Sequence, residues 1–192
     1  MTGVLADVSG HAMEAAIPLL IFSGILESQM EMGGSVKDII DRLNKLLCKT
    51  LASRSFVCLL TGELDRTRGR LTICNCGCPY PYHFQVSTQQ ISEIKLDGYP
   101  LGVSPTASFE VAEIHVEPGD WVTFCSDGII EARNKENEPF GFERTSNAIR
   151  QGGMSQNYAS ALIDYVLRQI QEFTGGVPLA DDQSIVVLRA QQ

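Results

Sequence analysis

Three aspartates stand beside the most apolar strand-like stretches of the chain. Asp7 follows Val4-Leu5-Ala6, Asp127 follows Trp121-Val122-Thr123-Phe124-Cys125-Ser126, and Asp181 shortly precedes Ser184-Ile185-Val186-Val187. Strand ends are where a rigid scaffold can converge carboxylates, and clustered carboxylates repel one another unless a cation holds them. An oxygen-only donor set suits a hard cation, Mg2+ or Mn2+, bound largely hydrated, better than zinc. Each aspartate also has a plain structural reading: Asp7 as a helix cap, Asp127-Gly128 as a turn, and Asp181-Asp182 as a solvated loop.

The elements that must position these residues follow from periodicity. Over residues 11–30 apolar residues recur at helical spacing, among them Ala15, Leu19, Phe22 and Leu26, which predicts a mostly buried helix. Ser35 with Asp38 three residues on is a capping-box-like start, and Val36, Ile39, Ile40, Leu43 and Leu47 give a second helix its apolar stripe. The period then changes: residues 56–60 and 71–74 flank Asp65-Arg66-Thr67-Arg68-Gly69, a hairpin. Strand-like pieces follow at 82–86, 91–96, 109–116 and 121–125, joined by turns such as Pro79-Tyr80-Pro81 and Glu117-Pro118-Gly119-Asp120. Links this short exclude parallel crossovers and predict an antiparallel meander. Helical pattern returns at 144–150 and 157–173, where Ala161, Leu162, Tyr165, Val166 and Ile170 share a face. Residues 184–188 are apolar enough for a strand buried on both faces. The order is α+β, with sheets and helices packed outside them.

The 192 residues suit one domain, residues 1–192, and 44% apolar with 20% charged residues is the composition of an ordinary globular protein. A net charge of −8 argues against sequence-independent nucleic-acid binding, which needs a basic surface. No apolar run approaches the ~18 residues of a membrane span, and the first ten residues lack a secretory signal's basic head, so a cytoplasmic location is expected. The six cysteines, Cys48, Cys58, Cys74, Cys76, Cys78 and Cys125, lack Cys-x-x-Cys spacing. Strand alternation puts Cys74 and Cys76 on one face, which favours small buried hydrophobes over a thiolate or zinc site.

Several segments together resemble the successive motifs of the SpoIIE/RsbU-type phosphatases, the bacterial branch of the metal-dependent type 2C protein phosphatases. They are Ala6-Asp7-Val8-Ser9-Gly10-His11-Ala12, Asn75-Cys76-Gly77-Cys78-Pro79, Pro100-Leu101-Gly102, Glu117-Pro118-Gly119-Asp120, Ser126-Asp127-Gly128 through Asn134, Phe140-Gly141 and Asp181-Asp182-Gln183-Ser184. The resemblance runs in the family's order over nearly the whole chain. It implies an α-β-β-α sandwich of two antiparallel sheets flanked by helices, with two Mn2+ or Mg2+ ions at one edge. Asp7 then matches the metal-bridging aspartate, the Val8 carbonyl an adjacent ligand, and Asp127 and Asp181 further metal carboxylates. His11 is a candidate acid for the leaving oxygen, Asp182 stands behind the ligands, and Glu131 and Asn134 are expected to be structural. The implied reaction is attack on phosphoserine or phosphothreonine by metal-activated water. The implied substrate is a phosphorylated regulatory protein, an anti-anti-sigma (STAS-domain) factor, with an attached sensor or receiver domain supplying the signal.

The sequence departs from the pattern in places. Family members carry, ahead of the Asp7 segment, a strand with a Gly-Gly-Asp motif whose aspartate binds the second metal. The sequence as given starts after it, which suggests a piece of a longer protein, puts one metal in question and leaves a sheet edge that a second copy could pair with. Ala12 stands where glycine is common, Cys78 where histidine is usual, and Gln183-Ser184 where an apolar residue and threonine are expected. A degenerate domain that binds a phosphoprotein without turnover is the alternative reading.

Overall fold

The structure, a computed structural model, describes residues 2–9, 13–52 and 55–190. Its elements in chain order are β1 (Thr2–Val8), α1 (Met13–Met32), α2 (Val36–Thr50), β2 (Val57–Asp65), β3 (Arg70–Cys76), β4 (Tyr82–Gln85), β5 (Gln90–Glu93), β6 (Val111–His115), β7 (Trp121–Cys125), α3 (Asp127–Ile130), α4 (Gly141–Ser155), α5 (Ala159–Thr174) and β8 (Ile185–Arg189). They form two four-stranded sheets, ordered β1-β2-β3-β6 and β5-β4-β7-β8. The meander expected from the short links is therefore corrected in its strand order, while the two antiparallel sheets implied by the resemblance are observed. Gly77 to Pro81, with two prolines that cannot donate to a ladder, carries the chain out of the first sheet, and β6 later returns beside β3. A short link forbids a parallel crossover but does not oblige successive strands to be neighbours.

Two compact units divide the chain. The first holds the residues up to Leu64, Leu71–Cys78 and Leu96–Ile114; the second holds the remainder.

In the first unit, α2 starts at a capping box: the Ser35 hydroxyl accepts the Asp38 N–H (3.2 Å) and Asp38 accepts the Ser35 N–H (3.2 Å). The Ser35 hydroxyl, which donates to the Asp38 carboxylate at 2.6 Å, holds that carboxyl below its ordinary range, helped by the Ser35 N–H. Val36, Ile40, Leu43 and Leu47 then fall on one side and pack with Val57, Leu59, Cys74 and Cys76 from the sheet. Cys74 and Cys76 are fully buried free thiols 4.0 Å apart, small core residues as expected.

The buried helix expected over 11–30 is corrected. From Ala15 to Met32 only Pro18, Phe22 and Gln29 of α1 are buried, while Leu20 is 74% and Ile17 68% exposed. The helix is apolar on every side, so periodicity cannot say which side is covered. Its turn into α2 is pinned by Arg42, which donates to the Gln29 side chain (2.8 Å) and the Gly33 carbonyl (2.7 Å).

In the second unit every residue of β7 is buried, and its core gathers Tyr82, Phe84, Trp121, Ile149, Leu162, Val166 and Ile170. The strand expected to be buried on both faces, β8, is instead an edge strand in which only Leu188 is buried, with the Arg189 guanidinium 4.7 Å from the Trp121 ring centre. Its apolar run meets one neighbour, β7, rather than two. The 117–120 turn is closed by Asp120, which is 1% exposed, accepts the N–H groups of Val86 (3.0 Å) and Glu117 (3.1 Å), and lies 2.9 Å from His83 Nε2.

Two substitutions test this packing. Asp120→Ala strips three partners inside the second unit and is expected to cost about 3–5 kcal/mol in urea unfolding. Gly98→Ala would set a methyl 2.0 Å from the Asn75 carbonyl oxygen, a backbone atom, and is expected to lower stability by about 1–3 kcal/mol.

Candidate active site

Asp127 and Asp181 sit on two segments of the second unit that are stitched together through one residue. Ser126, between β7 and α3, donates its N–H to the Ser184 carbonyl (2.9 Å) and its hydroxyl to the Asp182 carbonyl (3.1 Å), and its hydroxyl accepts the Ser184 N–H (2.9 Å). Gln183 reaches back to the Gly128 carbonyl at 3.3 Å. A Cβ on Gly128 would lie 2.2 Å from the Asp182 oxygen, so only glycine lets the α3 turn touch this backbone. The neighbour that the missing side chain spares is the Asp182 peptide.

Both carboxylates point to solvent from fixed backbone. Asp127 Oδ1 accepts the Gly128 N–H (2.9 Å) and Asp181 Oδ1 the Asp182 N–H (2.8 Å), and both residues are exposed. Asp182 contributes its carbonyl to the Ser126 link and is itself exposed. Among the described residues no group of three or more His, Cys, Asp or Glu is gathered closely enough to hold a metal ion. Two exposed, oriented carboxylates are nevertheless a donor set that suits Mg2+ or Mn2+, which keep several waters and use one or two protein carboxylates.

Asp7 and Val8 lie at the end of β1 in the first unit. Asp7 pairs in register with Cys58 and Val8 with Val57. Ser9 then closes the strand: its N–H donates to the Phe56 carbonyl (3.0 Å) and its hydroxyl accepts the Phe56 N–H (2.8 Å). On the other side of β2, Leu101 exchanges two backbone hydrogen bonds with Val57, of 2.8 and 3.0 Å. Buried Asn44 holds the same loop from below, accepting the Gly102 N–H and donating to the Ser104 carbonyl, both at 2.9 Å. The Asn75 amide closes its turn on the N–H and carbonyl of Cys78, each at 2.9 Å, so the backbone rather than the thiol at this unusual position is what the turn uses. A Cβ on Gly77, whose φ is +89°, would meet Pro100 at 2.8 Å.

The motif segments around Asn75 and Pro100 thus brace the strand end that carries Asp7. Asn134 is structural as expected, accepting the N–H groups of Glu136 (3.1 Å) and Glu138 (2.8 Å). His11 and Ala12 lie outside the described residues. The hydrogen bond with the neighbouring Cys74 thiol, and then burial, push Cys76 far above the ordinary thiol range, and burial pushes Cys125 up to about 12, so neither offers a thiolate near neutral pH. Sequence reasoning passed over Ser126 and Asn44. The second had a readable signal, a polar residue inside the apolar stripe of α2; the first is a serine that only its partners distinguish.

Residues 2–191 match the family model described as Stage II sporulation protein E (SpoIIE). Phosphoserine phosphatase RsbU of Bacillus subtilis is 22% identical over 187 residues, which are 96% of this chain and 54% of that protein. The chain therefore spans about half the length of that relative. Among solved structures, the SiaA-PP2C domain of Pseudomonas aeruginosa superposes with a TM-score of 0.85 at 18% identity, covering 98% of this chain and 75% of that one. The catalytic domain of the serine/threonine protein phosphatase PstP in complex with 2 manganese ions gives a TM-score of 0.68 at 12% identity, covering 97% and 85%. The expected fold class, α+β with two antiparallel sheets and accompanying helices, is the one these likenesses show. With a family model matched across almost every residue and the same fold in each neighbour, the chain belongs to the SpoIIE family.

Proposed function

We propose that this chain is a metal-dependent protein phosphatase domain that hydrolyses phosphoserine or phosphothreonine on a regulatory protein. The observation that carries the reading is the Ser126 staple, which fixes the backbone of two exposed aspartates, Asp127 and Asp181, in a member of the SpoIIE family. Asp7, the Val8 carbonyl, Asp127 and Asp181 are the residues that would hold the metal, and the manganese complex of PstP supports a divalent ion. When bound, Mn2+ or Mg2+ supplies positive charge against the phosphoryl oxygens and acidifies water.

What the chain itself contributes is orientation. Each aspartate has one oxygen fixed by its neighbour's N–H, so the carboxylates need little reorganisation to serve as ligands. The short hydrogen bonds around Ser126 keep the two segments in one register. The proposed substrate is a phosphorylated STAS-type anti-anti-sigma protein, and the proposed setting is a cytoplasmic signalling protein with a sensor or receiver domain. No described helix is long and apolar enough to cross a membrane.

Hydrolysis of a phosphoserine peptide with added Mn2+ is the direct assay. Asp127→Asn and Asp181→Asn are each expected to lower kcat/KM on the order of 100-fold, and EDTA to abolish turnover that fresh Mn2+ restores. A chain that binds phosphoprotein yet is inert under these conditions is a recognition module instead. Gly128→Ala must displace the Asp182 peptide; a shift of about 1 Å there is expected to cost roughly 100-fold in activity, while a far-UV circular dichroism spectrum like that of the unsubstituted chain shows the fold intact.

A further inference from the structure

We infer that the loop from Tyr99 to Val103 is a docking surface for the polypeptide flanking the phosphorylated residue, with Tyr99 and Val103 selecting an apolar side chain about three residues from it. This rests on the phosphatase reading and specifies how that activity would choose its substrate.

Val57 is the pivot. It pairs with Val8 on one side and with Leu101 on the other, so Leu101 lies two interstrand spacings from Val8, about 10 Å. An extended peptide advances about 3.3 Å per residue, so a chain with its phosphorylated residue beside Asp7 and Val8 reaches the loop with its third neighbour. The loop meets it with apolar side chains. Leu101 is fully buried as the anchor, while the flanking Tyr99 and Val103 are 70% and 54% exposed, and Phe56, next to the pivot, is 37% exposed.

Single exposed hydrophobes are ordinary on a protein surface. These differ in being held still. Two backbone bonds to Val57, the Asn44 side chain on both Gly102 and Ser104, and Gly98 pressed against the Asn75 carbonyl leave the loop little freedom. Burying an amide in the stripe of α2 is costly unless each of its hydrogen bonds is made, and here they are made to this loop. A rigid apolar surface binds at a lower entropic cost than a mobile one. The net charge of −8 is compatible with this, since the chain as a whole repels the negative charge of a phosphopeptide and apolar contact is a source of affinity that this repulsion does not weaken.

The test is a set of phosphoserine peptides carrying Leu or Ala at the third position on either side of phosphoserine, assayed with the full chain and Mn2+, with p-nitrophenyl phosphate as a probe that has no flanks. The expected result is a preference for Leu on one side of about tenfold in kcat/KM, residing mainly in KM. Tyr99→Ser combined with Val103→Ser is expected to reduce that ratio to about twofold or less, and Tyr99→Phe to retain it. Both substituted residues are exposed, and urea unfolding checks that the double variant is folded. Equal rates on Leu and Ala peptides, or a ratio that survives the double substitution, overturns the docking surface and leaves the phosphatase reading standing, whereas turnover of p-nitrophenyl phosphate with no peptide hydrolysed overturns both the docking surface and the protein-phosphatase reading. Turnover of neither peptide nor p-nitrophenyl phosphate overturns the phosphatase reading and this inference with it.

Discussion

The Ser126 hydroxyl is the contact on which the placement of Asp127 and Asp181 depends. Donating to the Asp182 carbonyl and accepting the Ser184 N–H, it lets one oxygen satisfy two backbone groups on the segment that leads into β8. Asp127 follows Ser126 directly and Asp181 precedes Asp182, so fixing that oxygen fixes the main chain under both carboxylates. Gly128 makes the contact sterically possible. A site for a labile, hydrated ion can be built from exposed carboxylates only if their backbone is rigid, because the ion itself does little to order them.

The first unit solves the same problem with a strand instead of a side chain. Val57 is shared by β1 and the Leu101 bridge, and Ser9 and Asn44 tie off the two flanks with side-chain hydrogen bonds. Asn75, Gly77 and Gly98 then lock the neighbouring turn against the loop. Family motifs that carry no metal ligand thus have a mechanical role, holding the end of the strand that bears Asp7.

Much of this could be read from the sequence, and what could not has identifiable causes. The Ser35 and Asp38 capping box, the hairpin around Asp65 and the placement of Asp127 after a buried strand are local patterns, and local patterns determine local structure. The division of strands between two sheets was not legible, since alternation with period two looks the same whichever sheet a strand joins. Nor was the exposure of α1, where Ile17 and Leu20 have the composition of a core and the accessibility of a surface. The edge position of β8 was hidden for the same reason: an apolar run reports what a strand can bury, and its neighbours decide what it does bury.

Charge joins the two halves of the functional reading. A chain with a net charge of −8 that presents aspartates to solvent is a poor receptor for a phosphoryl group until cations occupy those aspartates. Metal binding and substrate binding are then linked, because the same carboxylates that attract the ion repel an unscreened phosphate. Recognition of the rest of the substrate has to come from contacts indifferent to that repulsion. In the docking role inferred for it, the rigid apolar loop around Leu101 is a contact of that kind, one that ionic strength would weaken less than the attraction of a bound metal for phosphate. On the proposed reading, selectivity for one phosphoprotein over another would reside in apolar shape, and the requirement for phosphate in the metal.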